Sequence, residues 1–324
     1  MQIQDTGSKT RNFSVLAPAA HALHESAGAE DFSGRFEAFT GQSVGFVVGR
    51  IVRPDAPRAV FLTGSIPLGM GTHGSDVDLL VLIDDKRALV GGGSAIANTD
   101  QELAFSNESD SLRAGLFLKV LNGVTVEVAA VVTPGIARIQ RRLRSRGPEL
   151  TEGEIMTLGR LGTGWLLLQT DDYLQRAGIL LQDPAFDVYC STRNFTYGLI
   201  YRLKAGRALE LGDIPQALHL GRLSVEMACL AFFASEGLSY LGAKWLAQIG
   251  HARGGAERLA RHPLLADAVT LLFPVYGPGA AGATSYLLAV TQFLDSMRSL
   301  IEQKTLFRIA FRACPQIHPS RATG

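Results

Sequence analysis

The chain has 324 residues, 47% of them hydrophobic and 19% charged, with a formal net charge of +1 at pH 7. That length accommodates two hydrophobic cores, and that composition excludes a disordered or collagen-like chain. Near-neutral charge excludes a whole-protein attraction to nucleic acid or to an anionic membrane, and leaves only local patches for such contacts.

In chain order, the first 30 residues are small and polar and are expected to be poorly ordered. Their opening, "MQIQDTGSKTRNFSV", lacks the apolar stretch of a signal peptide. From Ala29 to Val48 the pattern is helical, "PDAP" is a turn, and "RAVFLT" is an apolar β-prone run. "GSIPLGMGTHGS" has the glycine and proline content of a loop, "DVDLLVLI" reads as a strand, and "DDKRALVGGGSAIANTD" reads as a surface connection. The "GGGS" at 91–94 lacks the Lys-Ser/Thr that follows in a phosphate loop.

"GLFLKVLNGVTVEVAAVV" reads as a β-hairpin, because Asn122-Gly123 favours a tight type I′ turn. In its second arm Val124, Val126 and Val128 share one face, and Thr125, Glu127 and Ala129 the other. After Pro134 the character changes. "GIARIQRRLRSRG" is basic, and from Glu152 onward helices are expected over 152–178, 190–209, 214–236, 240–260, 264–273 and 284–310. The fold class expected is therefore α/β in the broad, α+β sense. An α/β domain over 31–148 precedes an all-helical domain over 149–324.

The uncharged run from Ala268 to Leu294 is interrupted by "FPVYGPGAAGAT", which indicates a buried loop between two helices in preference to a membrane span. Cys190, Cys229 and Cys314 are dispersed and odd in number, which argues against a disulfide framework and for a reducing compartment. A cytoplasmic protein without membrane contact is the expectation.

The chemistry concentrates between residues 60 and 84. Asp76 and Asp78 open the apolar run Leu79 to Ile83, and a buried strand tolerates two ionised acids only if something cationic compensates. Side chains at i and i+2 of a strand share a face, about 6.7 Å apart along the backbone. Such a pair can hold hard divalent ions, which take oxygen ligands from carboxylates and substrate phosphates. Gly64 and Ser65 end the preceding strand, where a glycine turn followed by backbone N–H groups can form an anion-binding concavity. Glu127 can supply a third carboxylate. The set suits metal-assisted phosphoryl or nucleotidyl transfer, in which positioning and electrostatics dominate.

Gly64-Ser65, a loop, Asp76-Val77-Asp78 inside an apolar strand and an acid on a later strand at Glu127 resemble the signature of the DNA polymerase β-like nucleotidyltransferase superfamily. "GSDVDLLVLI" is similar to its antibiotic-modifying and related stand-alone bacterial members, which carry a helical C-terminal domain. The resemblance implies a small mixed β-sheet flanked by helices and transfer of a nucleoside monophosphate from a nucleoside triphosphate, with ATP the expected donor. It implies two Mg²⁺ ions, or Mn²⁺ in the same role, on Asp76, Asp78 and Glu127. The nucleotide-binding candidates are Gly64, Ser65, Ser75 and Lys244. The acceptor expected is a hydroxyl or other nucleophile on a small molecule or peptide, with nucleic acid not expected. "CLAFFASEGLSYLGAKWLAQI" resembles the helical domain of a bacterial branch, and by that likeness Lys244 could reach the triphosphate and Trp245 buttress the cleft.

Each candidate has a plainer reading. Asp76 could act as a cap, Glu127 could be an exposed residue of an edge strand, and Ser75 could order the turn through its hydroxyl. His73 could be an ordinary loop residue, and Lys244 a surface lysine beside a packed tryptophan. Glu226 is either a general base for an acceptor hydroxyl or the i+4 partner of Arg222. Arg138, Arg141, Arg142, Arg144 and Arg146 wrap around a helix and read as a solvated linker, or as a landing site for triphosphate or a polyanionic acceptor. Two rival functions follow: transfer to a protein or RNA acceptor, and a non-catalytic nucleotide-binding regulatory protein of the same fold.

Overall fold

Short apolar, β-prone runs build the sheet. In the computed structural model, which describes residues 23, 26, 28–53, 55, 57–70, 75–90, 112–145, 149–239, 262–272 and 279–313, β1 is Ala59–Thr63, β2 Val77–Ile83, β3 Arg113–Leu121, β4 Val124–Val132 and β5 Trp165–Gln169. The sheet order is β3-β4-β2-β1-β5. β2 and β4 are parallel, and the other neighbours antiparallel. The hairpin turn has φ 47° at Asn122 and 83° at Gly123, both left-handed, as a type I′ turn requires.

The chain divides into two compact units. One comprises residues up to Asn107, Arg113–Val132 and Trp165–Asp171, and the other Glu108–Leu112, Thr133–Gly164 and Asp172 onward. The sheet unit is thus discontinuous in sequence, where a single cut after residue 148 was expected. The fold class is α+β, a mixed five-stranded sheet with a helical C-terminal part.

In the sheet unit, helices α1 (Ala29–Thr40) and α2 (Val44–Val48) supply apolar residues to one face of the sheet. Phe32 and Phe36, one turn apart on α1, are fully buried with ring centroids 5.7 Å apart. They join a core with Val60 and Leu62 of β1, Leu79 of β2 and Val126 of β4. Burying each such side chain stabilises by about 1.5–3 kcal/mol. Gly41 closes α1 in the left-handed conformation, its N–H donating to the Glu37 carbonyl, and the Ser43 hydroxyl caps α2 by accepting from the Phe46 N–H.

β5 corrects the expected helix over 152–178. Helix α4 (Glu152–Thr163) has the capping box of Thr151 and Glu154 at its start and ends at Gly164, which is extended. "WLLLQ" then pairs antiparallel with β1. Five apolar-rich residues are compatible with helix or strand by periodicity, and the open edge of β1 decides between them. Residues 173–176 form a short helix, α5 (Tyr173–Arg176).

The second unit is built on long helices: α3 (Thr133–Arg144), α6 (Pro184–Glu210), α7 (Ile214–Ser235), α8 (Pro263–Leu272) and α9 (Ala280–Ala313). α7 packs on α6, α8 and α9. By length and composition α7 could cross a membrane, but 61% of its apolar stretch is buried inside the protein, as in a core helix. Buried hydroxyls tie the α6–α7 pair: Ser224 donates to the Gly198 carbonyl at 2.7 Å and Ser191 to that of Ala231 at 2.9 Å. The N-terminal segment before residue 23, the connection over 91–111, the expected helix over 240–260 and the loop over 273–278 lie outside the described residues.

Candidate metal and nucleotide site

The two-residue period of β2 sends its side chains to opposite faces. Val77, Leu79, Val81 and Ile83 enter the core beneath α1 and α2 with Val126 and Val128 of β4. Asp78 and Glu127 therefore lie on the opposite face. The parallel register pairs Asp78 directly with Glu127, and the antiparallel register pairs Asp78 with Thr63. Two acids distant in the chain thus become lateral neighbours, about 4.8 Å apart from strand to strand. The Thr63 hydroxyl donates to the Asp78 carbonyl at 3.2 Å, which ties the end of β1 to the start of β2.

Gly64 follows Thr63 with φ 79°, in the left-handed region. A Cβ placed on Gly64 would stand 2.0 Å from Asp78 Oδ2. The glycine is required twice over, by its backbone conformation and by the carboxylate that fills the space of its missing side chain. Ser65, only 2% exposed, is the second residue of a compact turn over 64–69. Within it the Met70 N–H donates to the Ser65 carbonyl at 3.0 Å and the Gly69 N–H to the Ile66 carbonyl at 2.9 Å. Buried Ile66, Leu68 and Met70 anchor this turn.

Asp76 stands just before β2 and is exposed; Ser75 beside it, Asp78 and Glu127 are half-buried. The structure brings Gly64, Ser65, Asp78 and Glu127 together around the Thr63–Asp78 junction. Among the described residues no group of three or more His, Cys, Asp or Glu side chains converges to hold a metal ion. The donor chemistry nevertheless suits a hard divalent cation: carboxylate oxygens on adjacent strands, one of them seated where a Cβ would otherwise be. Asp78 and Glu127 are register partners on adjacent strands, and Asp76 stands two residues before Asp78 in the chain. His73, Lys244 and Trp245 lie outside the described residues.

Of the other sequence candidates, Glu226, Arg142 and Arg144 are engaged in ion pairs. Arg222 Nε donates to Glu226 Oε1 at 3.1 Å, one helical turn away on α7. On α3, Arg142 pairs with buried Glu154 at 2.7 Å and Arg144 with buried Asp183 at 3.3 Å, while Arg138 and Arg141 are exposed. Arg146 lies outside the described residues. Sequence reasoning missed the contact of Asp78 with the Gly64 backbone. A glycine closing one strand and an acid at the start of the next signal a tight junction, but not which carboxylate fills it.

No protein-family profile matches the chain, and no curated protein matches it. Among solved structures, the chain is similar to a nucleotidyltransferase-like protein from Exiguobacterium sibiricum 255-15. The identity is 14% and the TM-score 0.40, with 81% of this chain and 76% of that one covered.

Proposed function

We propose that this chain is a divalent-metal-dependent nucleotidyltransferase, moving a nucleoside monophosphate from a nucleoside triphosphate to a hydroxyl or other nucleophile on a small molecule or peptide. The observation that carries the reading is the seating of Asp78: its carboxylate lies in the space left by the Gly64 side chain, and its strand partner is Glu127. The Gly-Ser turn and Asp78 of the motif therefore adjoin.

In this reading Asp76, Asp78 and Glu127 would hold Mg²⁺. The bound ion would supply charge neutralisation for the phosphates and lower the cost of generating an attacking oxygen. Gly64 and Ser65 would present backbone N–H groups to phosphate oxygens, beside the Asp78 carboxylate that takes the space of the missing side chain at 64. The buried turn over 64–69 would hold those donors in place, so that little reorganisation accompanies the reaction.

A second reading, a nucleotide-binding protein without catalysis, is favoured by one observation. Among the described residues the three acids do not converge as a ligand set. Calorimetric titration with ATP, GTP, CTP and UTP, with and without Mg²⁺, tests both readings on the wild type and on Asp76→Asn/Asp78→Asn. Metal-dependent binding lost in the variant supports the transferase site and identifies the donor. Binding indifferent to metal and variant supports the non-catalytic reading, and absence of binding by the folded wild type overturns both.

A further inference from the structure

A second concavity lies at the far end of β1 from the acidic pair. β1 runs from Ala59 to Thr63, so its two ends are about 13 Å apart. At the Ala59 end a cleft of about 650 Å³ opens between α2, β1 and the end of β5. Its walls include Gly45, Phe46, Arg50, Arg58, Leu168 and Thr170, all within the sheet unit. That volume falls within the range of roughly 300–1,000 Å³ typical of small-molecule sites.

The walls divide by chemistry. Phe46 is 56% exposed and Leu168 47% exposed, and both present apolar surface to the cleft. Arg50 is exposed, and Arg58 is oriented by an ion pair with Asp84 at 2.7 Å. Asp84 offsets the charge of Arg58, so Arg50 carries the net positive charge of the rim. No acidic side chain is among the described residues that line the cleft. Gly45 leaves the exposed side of α2 open: a Cβ there would meet nothing nearer than the Ser43 hydroxyl at 4.0 Å.

We infer that this cleft binds a small organic anion, an aromatic ring carrying a phosphate or carboxylate. The ring lies against Phe46 and Leu168, and the anionic group meets the guanidinium of Arg50. A guanidinium offers forked donors matched to both oxyanions, and aromatic and aliphatic walls supply the apolar contact. The inference does not depend on the transferase reading, because none of these residues belongs to the Gly64–Asp78 site.

The test is fluorescence titration with 1-anilinonaphthalene-8-sulfonate, an aromatic sulfonate, followed by competition with phenyl phosphate, 3-phenylpropionate and inorganic phosphate. The expected result is saturable binding at one site. It should weaken at least tenfold in Arg50→Glu and in Gly45→Leu, whose side chain would project into space that is open in the wild type. Asp78→Asn, at the other end of β1, should leave it unchanged. Circular dichroism and thermal melting of each variant establish that the fold is retained. Displacement by phenyl phosphate identifies phosphate as the anionic group, and displacement by 3-phenylpropionate identifies carboxylate. Absence of saturable binding, binding untouched by both cleft variants, or displacement by inorganic phosphate as effective as by the aryl anions would overturn the inference.

Discussion

Asp78 Oδ2 occupies the space that a side chain on Gly64 would need, 2.0 Å from the position of the missing Cβ. Gly64 follows β1 and Asp78 lies at the start of β2, and the register that pairs Thr63 with Asp78 brings them together. A backbone requirement and a chemical group are thus coupled across one strand junction.

Gly64→Ala should therefore destabilise the sheet unit by about 1–3 kcal/mol, from a non-glycine residue at positive φ and a displaced carboxylate. Urea unfolding measures the cost. In an Asp78→Ala background the same substitution should cost less, leaving the conformational part of about 1 kcal/mol. Equal costs in the two backgrounds would mean that the contact does not contribute.

Under the transferase reading, Mg²⁺ with the cognate nucleoside triphosphate should raise the melting temperature of the wild type. Ligand at 100 times its Kd adds about 2.7 kcal/mol of stability by mass action. Asp78→Asn and Glu127→Gln should each abolish the metal-dependent part of that shift while leaving the unliganded melting temperature near the wild-type value. A full shift in either variant would remove that acid from the site.

Arg142 and Arg138 sit one helical turn apart on α3 but meet different surroundings. Arg142 pairs with Glu154, which is 5% exposed at the side chain and also accepts from the Thr151 N–H as part of the capping box of α4. Arg142→Ala would leave that buried carboxylate with less compensation. Because the Arg142 side chain is 28% exposed, water moderates the loss, and a cost of about 1–3 kcal/mol is expected. Arg138→Ala should lie within about 0.5 kcal/mol of wild type. Chemical denaturation of both variants distinguishes a structural helix from a free basic surface.

Stability should fall at alkaline pH because of two buried thiols. Burial pushes Cys190 up to about 12 from its ordinary value near 9, with nearby Asp187 adding to the effect. Burial raises Cys229 as well, with a smaller contribution from Glu226. In the unfolded chain each thiol releases its proton near pH 9, whereas the folded protein retains it. The unfolded state then binds fewer protons, so this stabilisation is fully present below about pH 9 and declines as pH rises toward 12. The slope is about 1.4 kcal/mol per pH unit for each thiol. Cys190→Ala should make the slope of unfolding free energy between about pH 9 and 10.5 visibly shallower, and an unchanged slope would contradict the retention of that proton. The same burial should keep both thiols unreactive toward alkylating reagents at about pH 8 until the helical unit unfolds.

Elements whose cause is local can be read from the chain directly. Alternation sent the valines of β4 to the core and Glu127 to the other face, Asn122-Gly123 set the hairpin, and the apolar spacing of 184–235 built two long helices. Two acids opening an apolar run were legible as a pattern, but Asp76 lies exposed before β2 and only Asp78 enters the strand. Other features arose only when distant segments met. "WLLLQ" is a strand because the edge of β1 was open to it, and the sheet unit consequently draws on residues beyond the helices α3 and α4. Arg142 became structural once Glu154 of the next helix was in reach. The pairing of Asp78 with Glu127, and its seat against Gly64, depend on strand register, which arises from packing between segments distant in the chain and is written in none of them separately.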